Sequence, residues 1–72
     1  MSPEQLVKQA WVEGPLTYAL KTAERIDVRR LRYRVSGSRE RVEVEFDNGC
    51  SEAVDVTGNS HMAILADVLK VV

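Results

Sequence analysis

Between Leu31 and Thr57 apolar and polar residues alternate almost without a break, and turn residues divide the alternation into three runs. The runs are Leu31-Arg32-Tyr33-Arg34-Val35, Val42-Glu43-Val44-Glu45-Phe46 and Val54-Asp55-Val56, separated by Ser36-Gly37-Ser38 and Asp47-Asn48-Gly49. A period of two with turn residues at the breaks predicts an antiparallel meander with one buried face. Matching the apolar sets of the first two runs predicts that Val35 pairs with Val42, Tyr33 with Val44 and Leu31 with Phe46. The opposite face then sets Arg34 across from Glu43, Arg32 across from Glu45 and Arg30 near Asp47, pairs that stabilise a ladder. At the second break, a three-residue turn with Gly49 in the left-handed region keeps the faces aligned. It pairs Phe46 with Cys50 and Val42 with Val54.

Helical spacing governs the two ends. Ser2-Pro3-Glu4-Gln5 has the form of a capping box with proline at the first helical position. Leu6, Val7, Ala10 and Trp11 follow as one apolar stripe, and Gly14-Pro15 is expected to end or kink the helix. From Pro15 to Arg25 the residues Leu16, Ala19, Leu20 and Ala23 fit a second helix, and Ala, Leu, Lys and Glu favour it. Leu16, Tyr18 and Leu20 also alternate, so a fourth strand is the other reading. Ile26 and Val28 fall out of phase with Leu31 and Tyr33, which predicts a bulge or a late strand start. After Gly58, Asn59 or Ser60 caps a last helix carrying Ile64, Leu65, Val68, Leu69 and Val72. The predicted fold is therefore α+β: two N-terminal helices, a three-stranded antiparallel meander, and a C-terminal helix packed on one sheet face. It forms a single small domain spanning residues 1–72.

Length and charge narrow what such a chain can do. At 72 residues it buries only about 60% of its unfolded surface, so tight packing or self-association is expected to contribute to its stability. The single cysteine allows no internal disulfide and fits a reducing, cytoplasmic setting. No basic stretch precedes an apolar run at the N-terminus, so no secretory signal is expected. Met62 to Val72 is broken by Asp67 and Lys70 and is too short to span a bilayer. The net charge of −1 gives no global attraction for nucleic acid or anionic membrane.

Arginine is the conspicuous residue: Arg25, Arg29, Arg30, Arg32, Arg34, Arg39 and Arg41 crowd the first two strands and their approaches. A guanidinium fork suits phosphate, which makes Arg30, Arg32 and Arg34 candidates for a nucleic-acid surface, with Tyr33 or Trp11 stacking on bases. Between Glu24 and Asp47, however, seven arginines face six carboxylates and leave a net +1, the pattern of a paired, solvated sheet face. Cys50 and His61 are separated by the whole third strand, so no nucleophile–base pair is expected within one chain, and they are too few for zinc. Glu43 and Glu45 share a face but stand opposite arginines rather than in a cleft. The four glycines sit at breaks and turns and make no phosphate-cradling pattern. No cofactor and no metal are expected.

The order helix, three strands, helix is similar to that of double-stranded RNA-binding domains. That family grips phosphates with lysines at the start of its last helix, where this chain has Ser60-His61-Met62-Ala63. No binding residue is carried over. Pro3–Trp11 and Leu16–Arg25 would also suffice for a helix-turn-helix presenting Thr17, Lys21, Thr22 and Arg25, although the same faces are explained by packing on the sheet. Taken together, the pattern points to a small non-enzymatic protein-binding module. An adaptor, regulator or inhibitor of the kind phages and mobile elements encode would act through a sheet edge or exposed face. Trp11 is a candidate anchor, and the edge Cys50–Thr57, with Ser51, Ala53 and Asp55 outward, is a candidate for homodimer formation. Nucleic-acid binding by the arginine strand is the alternative.

Overall fold

The computed structural model describes residues 1–23 and 27–72. The expectations for Arg25 and Ile26, and the C-terminal limit of the second helix, lie outside the described residues. The elements are α1 (Pro3–Trp11), a wide π-type turn (Val12–Leu16), α2 (Thr17–Thr22), β1 (Val28–Ser36), β2 (Arg39–Phe46), β3 (Ser51–Asp55) and α3 (His61–Leu69). The fold is α+β, with the sheet in the order β1-β2-β3 and both pairings antiparallel.

The capping box forms: Gln5 N–H donates to Ser2 Oγ at 3.1 Å and Ser2 N–H donates to Gln5 Oε1 at 2.9 Å. Gly14-Pro15, however, does not stop the helix. The backbone passes through the π-type turn and runs on into α2, so the two predicted helices are joined as one. Proline has no N–H to give and crowds the carbonyl four residues back, and a widened turn makes room for its ring. Thr17 Oγ1 donates to the Val12 carbonyl at 2.8 Å and satisfies an acceptor inside this turn. The strand reading of this segment is thereby overturned. A helix-turn-helix is excluded with it, because no turn separates α1 from α2.

The wide turn also decides which face of α1 meets the sheet. Val12, Leu16 and Leu20 are buried in one row at a spacing of four, and Lys8 continues that row inward. The predicted stripe lies on the far side. Leu6 is 53% and Val7 59% exposed, and Ala10 is exposed as well. Trp11 alone of the stripe packs against the core.

In the sheet the faces are as predicted and the first register is not. Leu31 pairs with Val44, Tyr33 with Val42 and Val35 with Glu40. That is a shift of two residues, which leaves every side chain on its expected face. The cause is the turn. Ser36 pairs with Arg39 across Gly37-Ser38, and Gly37 has φ +60°. This is a two-residue type II′ turn with glycine at its first central position. The predicted register would have put Ser38-Arg39 at the centre of a two-residue turn, with no glycine to take the left-handed position. The bulge expected near Val28 is present between Val28 and Arg30.

The second hairpin follows the expectation. Val42 pairs with Val54, Phe46 N–H donates to the Cys50 carbonyl at 2.8 Å, and Gly49 has φ +88°. Cys50 itself is exposed.

The core is a single layer between sheet and helices: Val12, Leu16 and Leu20 from the N-terminal helix, Val28, Leu31, Tyr33, Val42, Val44 and Val56 from the sheet side, and Ile64 and Val68 from α3. The N-terminal helix packs on β1. Ser60 Oγ caps α3 by accepting from Ala63 N–H at 3.2 Å. Because the type II′ turn sets the register, Gly37→Val should cost about 1–2 kcal/mol by forcing a β-branched residue into the left-handed region. A urea unfolding midpoint checks this, and an unchanged midpoint would remove the turn as the register's cause.

Candidate interaction surfaces

The core face carries a charge. Glu40 is in phase with Val42 and Val44 and pairs with Val35, so its carboxylate lies on the core face, where the residue is 7% exposed. A buried charge is tolerated only when paired and hydrogen-bonded, and Glu40 is both. The Tyr33 hydroxyl donates to Oε1, Lys8 Nζ stands 3.7 Å from the same oxygen, and Gly58 N–H donates to Oε2 at 3.1 Å. Glu40 N–H donates to Thr57 Oγ1 at 2.8 Å, and its carbonyl accepts from Val56 N–H at 2.9 Å. One residue thus ties α1, both strands of the first hairpin and the β3–α3 turn together. The Tyr33 hydroxyl, assisted by Gly58 N–H and Lys8, holds the Glu40 carboxyl below the usual carboxylate range. Burial, followed by the Glu40 charge, pushes the Tyr33 phenol up. With its ring 1% exposed, Tyr33 offers no face to a base, and its candidacy as a stacking residue is overturned.

The open sheet face carries the arginines. Arg30 Nε donates to Glu45 Oε2 at 3.1 Å, and Arg29 lies 3.6 Å from the other oxygen. Arg32 stands opposite Glu43 instead of Glu45. Arg34 faces Arg41 across the ladder, a like-charge pair, and Glu43 bridges the two at 3.4 and 3.1 Å. Arg39 Nη2 reaches Asp55 Oδ2 at 2.5 Å. The Arg30 guanidinium holds Glu45 below its usual range, and Thr57 N–H, with Arg39, does the same for Asp55. A shallow depression on this face is lined by Arg34, Ser36, Arg39, Arg41, Glu43 and Asp55. Its arginines are engaged by its own carboxylates.

The two sheet edges differ. On β1, Tyr33 N–H points away from β2 and donates to Glu13 Oε2 at 2.9 Å, so the wide turn engages the middle of that edge. On β3, Ser51, Glu52, Ala53 and Asp55 are exposed, and among the described residues no strand pairs with its outer side.

The helical layer has the opposite character to the sheet face. Leu6 and Val7 on α1 and Met62 and Leu69 on α3 are 53%, 59%, 71% and 49% exposed, and Ala10 and Ala66 are exposed as well. Trp11 and His61 pack edge to face with centroids 4.8 Å apart, which brings the end of α1 to the start of α3. Among the described residues no cluster of histidine, cysteine and carboxylates has the makings of a metal site, and no helix is long and apolar enough to cross a membrane.

Of the candidate residues, the structure places Arg30, Arg32 and Arg34 together on the open face, Ala53 and Asp55 on the free edge, and Trp11 at the α1–α3 junction. The first two groups adjoin, Arg34 with Asp55 and Arg32 with Ala53. Sequence reasoning missed Lys8, Glu13 and Glu40. The phase of Glu40 with Val42 and the spacing of Lys8 with Val12, Leu16 and Leu20 were legible signals. The reach of Glu13 to a strand edge left none. No protein family, curated protein or solved structure matches the chain.

Glu40→Ala should destabilise the fold by about 3 kcal/mol or more, because Lys8, the Tyr33 hydroxyl and Gly58 N–H would lose their acceptor. In the unfolded chain glutamate titrates near about 4.3 and tyrosine near about 10. The folded Glu40 value is lower, so its contribution is complete above about pH 4.3 and is lost as pH falls through the folded value. The folded Tyr33 value is higher, so its contribution holds below about pH 10 and declines as pH rises beyond it. Urea midpoints followed from pH 2 to 11 should fall at both ends. Glu40→Gln should flatten the acid limb and Tyr33→Phe the alkaline one. Limbs identical to native in both variants would contradict the assignment.

Proposed function

We propose that this protein is a small non-enzymatic binding module whose helical layer docks an apolar surface of another protein. One observation carries the reading: α1 turns Leu6, Val7 and Ala10 to solvent and a lysine to the core. Burying a Leu or Val side chain is worth roughly 1.5–3 kcal/mol, and the isolated chain forgoes much of that on α1 and again at Met62 and Leu69. Contiguous exposed apolar residues of this kind mark interaction sites. The occupant is a protein surface with apolar side chains and little net charge. A polyanion or an anionic membrane would demand a cluster of basic residues, and α1, whose one lysine is buried, offers none beside Leu6 and Val7. The residues for an adaptor, regulator or inhibitor role are therefore Leu6, Val7, Met62 and Leu69, with Trp11 bracing the junction beneath them.

Nucleic-acid binding by Arg30, Arg32 and Arg34 is the second reading, favoured by the opposed Arg34 and Arg41. The ion pairs with Glu43, Glu45 and Asp55 weigh against it, since a phosphate would have to displace them.

Native protein, a Leu6→Glu/Val7→Glu variant and an Arg30→Glu/Arg32→Glu/Arg34→Glu variant, each tagged and checked for folding by circular dichroism, separate the two. The expected result is a stoichiometric protein partner that survives nuclease and about 0.5 M salt, stays with the arginine variant and is lost from the helix variant. Steep loss with salt, together with loss from the arginine variant alone, would reverse the reading in favour of nucleic acid.

A further inference from the structure

We infer that β3 joins a second copy of this chain, strand to antiparallel strand, about a two-fold axis through Ala53. The inference does not rest on the helical surface and uses none of its residues.

The backbone comes first. Phe46 N–H donates to the Cys50 carbonyl and Val56 N–H to the Glu40 carbonyl, so even-numbered residues of this segment turn their polar groups toward β2. By the alternation of an antiparallel ladder, the N–H and C=O of Ser51, Ala53 and Asp55 point out from the edge. All three residues are exposed. The strand is five residues long, Ser51–Asp55, and an axis through its central residue is the one arrangement in which two copies overlap completely. Ser51 then faces the partner's Asp55, Ala53 faces the partner's Ala53, and every outward N–H and C=O finds a mate.

Side-chain chemistry selects the same register. The Ser51 hydroxyl can donate to the partner's Asp55 carboxylate on the open face. On the other face each Glu52 stands opposite the partner's Val54. Moving the axis to Glu52 or to Asp55 would set like charges directly opposite each other, which a ladder disfavours. Moving it to Val54 would leave Ser51 and Glu52 beyond the end of the partner's strand. Ala53 presents the smallest side chain available at the axis, where the two copies of one residue meet.

Closure follows from the other edge. Glu13 takes the Tyr33 N–H of β1 and the N-terminal helix packs on that strand, which disfavours further pairing there, so a six-stranded sheet is the expected product. An isologous contact uses both copies of β3 and leaves none free.

A single strand pair is a small interface, so mass is measured by light scattering at roughly 10–500 µM, the range of weak association. Native protein should rise with concentration from 8.1 kDa toward twice that value. Ala53→Pro should remain at the monomer mass, and because the Ala53 N–H points outward the proline removes no bond within the chain. Ser51→Asp, which sets two carboxylates opposite each other twice in the dimer, should weaken association about tenfold, and Ser51→Arg should strengthen it. In a Cys50→Ser background, Ala53→Cys should form a disulfide-linked dimer on mild oxidation, since facing residues lie about 5.5 Å apart. A native chain that stays monomeric throughout overturns the inference. So does a dimer indifferent to Ala53→Pro and Ser51→Asp that Ala53→Cys fails to cross-link, in which case the association belongs to another surface.

Discussion

The carboxylate of Glu40 is the constraint on which the other contacts depend. It lies under α1, beside Tyr33, and against the backbone of the β3–α3 turn. Its charge could not stay in the core without Lys8, and Lys8 could not turn inward without it. That reciprocal requirement fixes the roll of α1 about its own axis. Once Lys8 faces the sheet, Leu6, Val7 and Ala10 must face solvent. The exposed apolar stripe is thus a consequence of the buried ion pair and of the wide turn at Pro15, which keeps Lys8, Val12, Leu16 and Leu20 in one row.

The same cluster shapes the sheet. The two-residue turn at Gly37-Ser38 sets Glu40 opposite Val35 and Val42 opposite Tyr33, next to the hydroxyl that Glu40 accepts from. That register also places Arg34 opposite Arg41, and Glu43 between them relieves the repulsion. The open face is consequently a network of arginines and carboxylates, each modest in energy at a hydrated surface. It keeps that face soluble and leaves few cations free for phosphate. The exposed apolar residues lie on the helices, whereas the free β3 edge adjoins the charged face through Asp55 and Arg39.

Most of the architecture was determined by the sequence alone. Period-two alternation set the number of strands and the side chains on each face, the capping box and Ser60 set two helix starts, and Gly49 set the second turn. Each of these is a local property, decided by residues within a few positions of one another. Tertiary structure decided the rest: whether Pro15 broke the helix or widened it, which two-residue step the first hairpin took, which side of α1 was buried, and which sheet edge was engaged by Glu13. A shift of two leaves a period-two pattern unchanged, so alternation could not distinguish the registers. An amphipathic stripe does not state whether its target is the chain's own sheet or another molecule. Those choices rest on contacts between residues 20 to 32 positions apart, Glu13 with Tyr33 and Lys8 with Glu40, and such contacts exist only once the chain has folded.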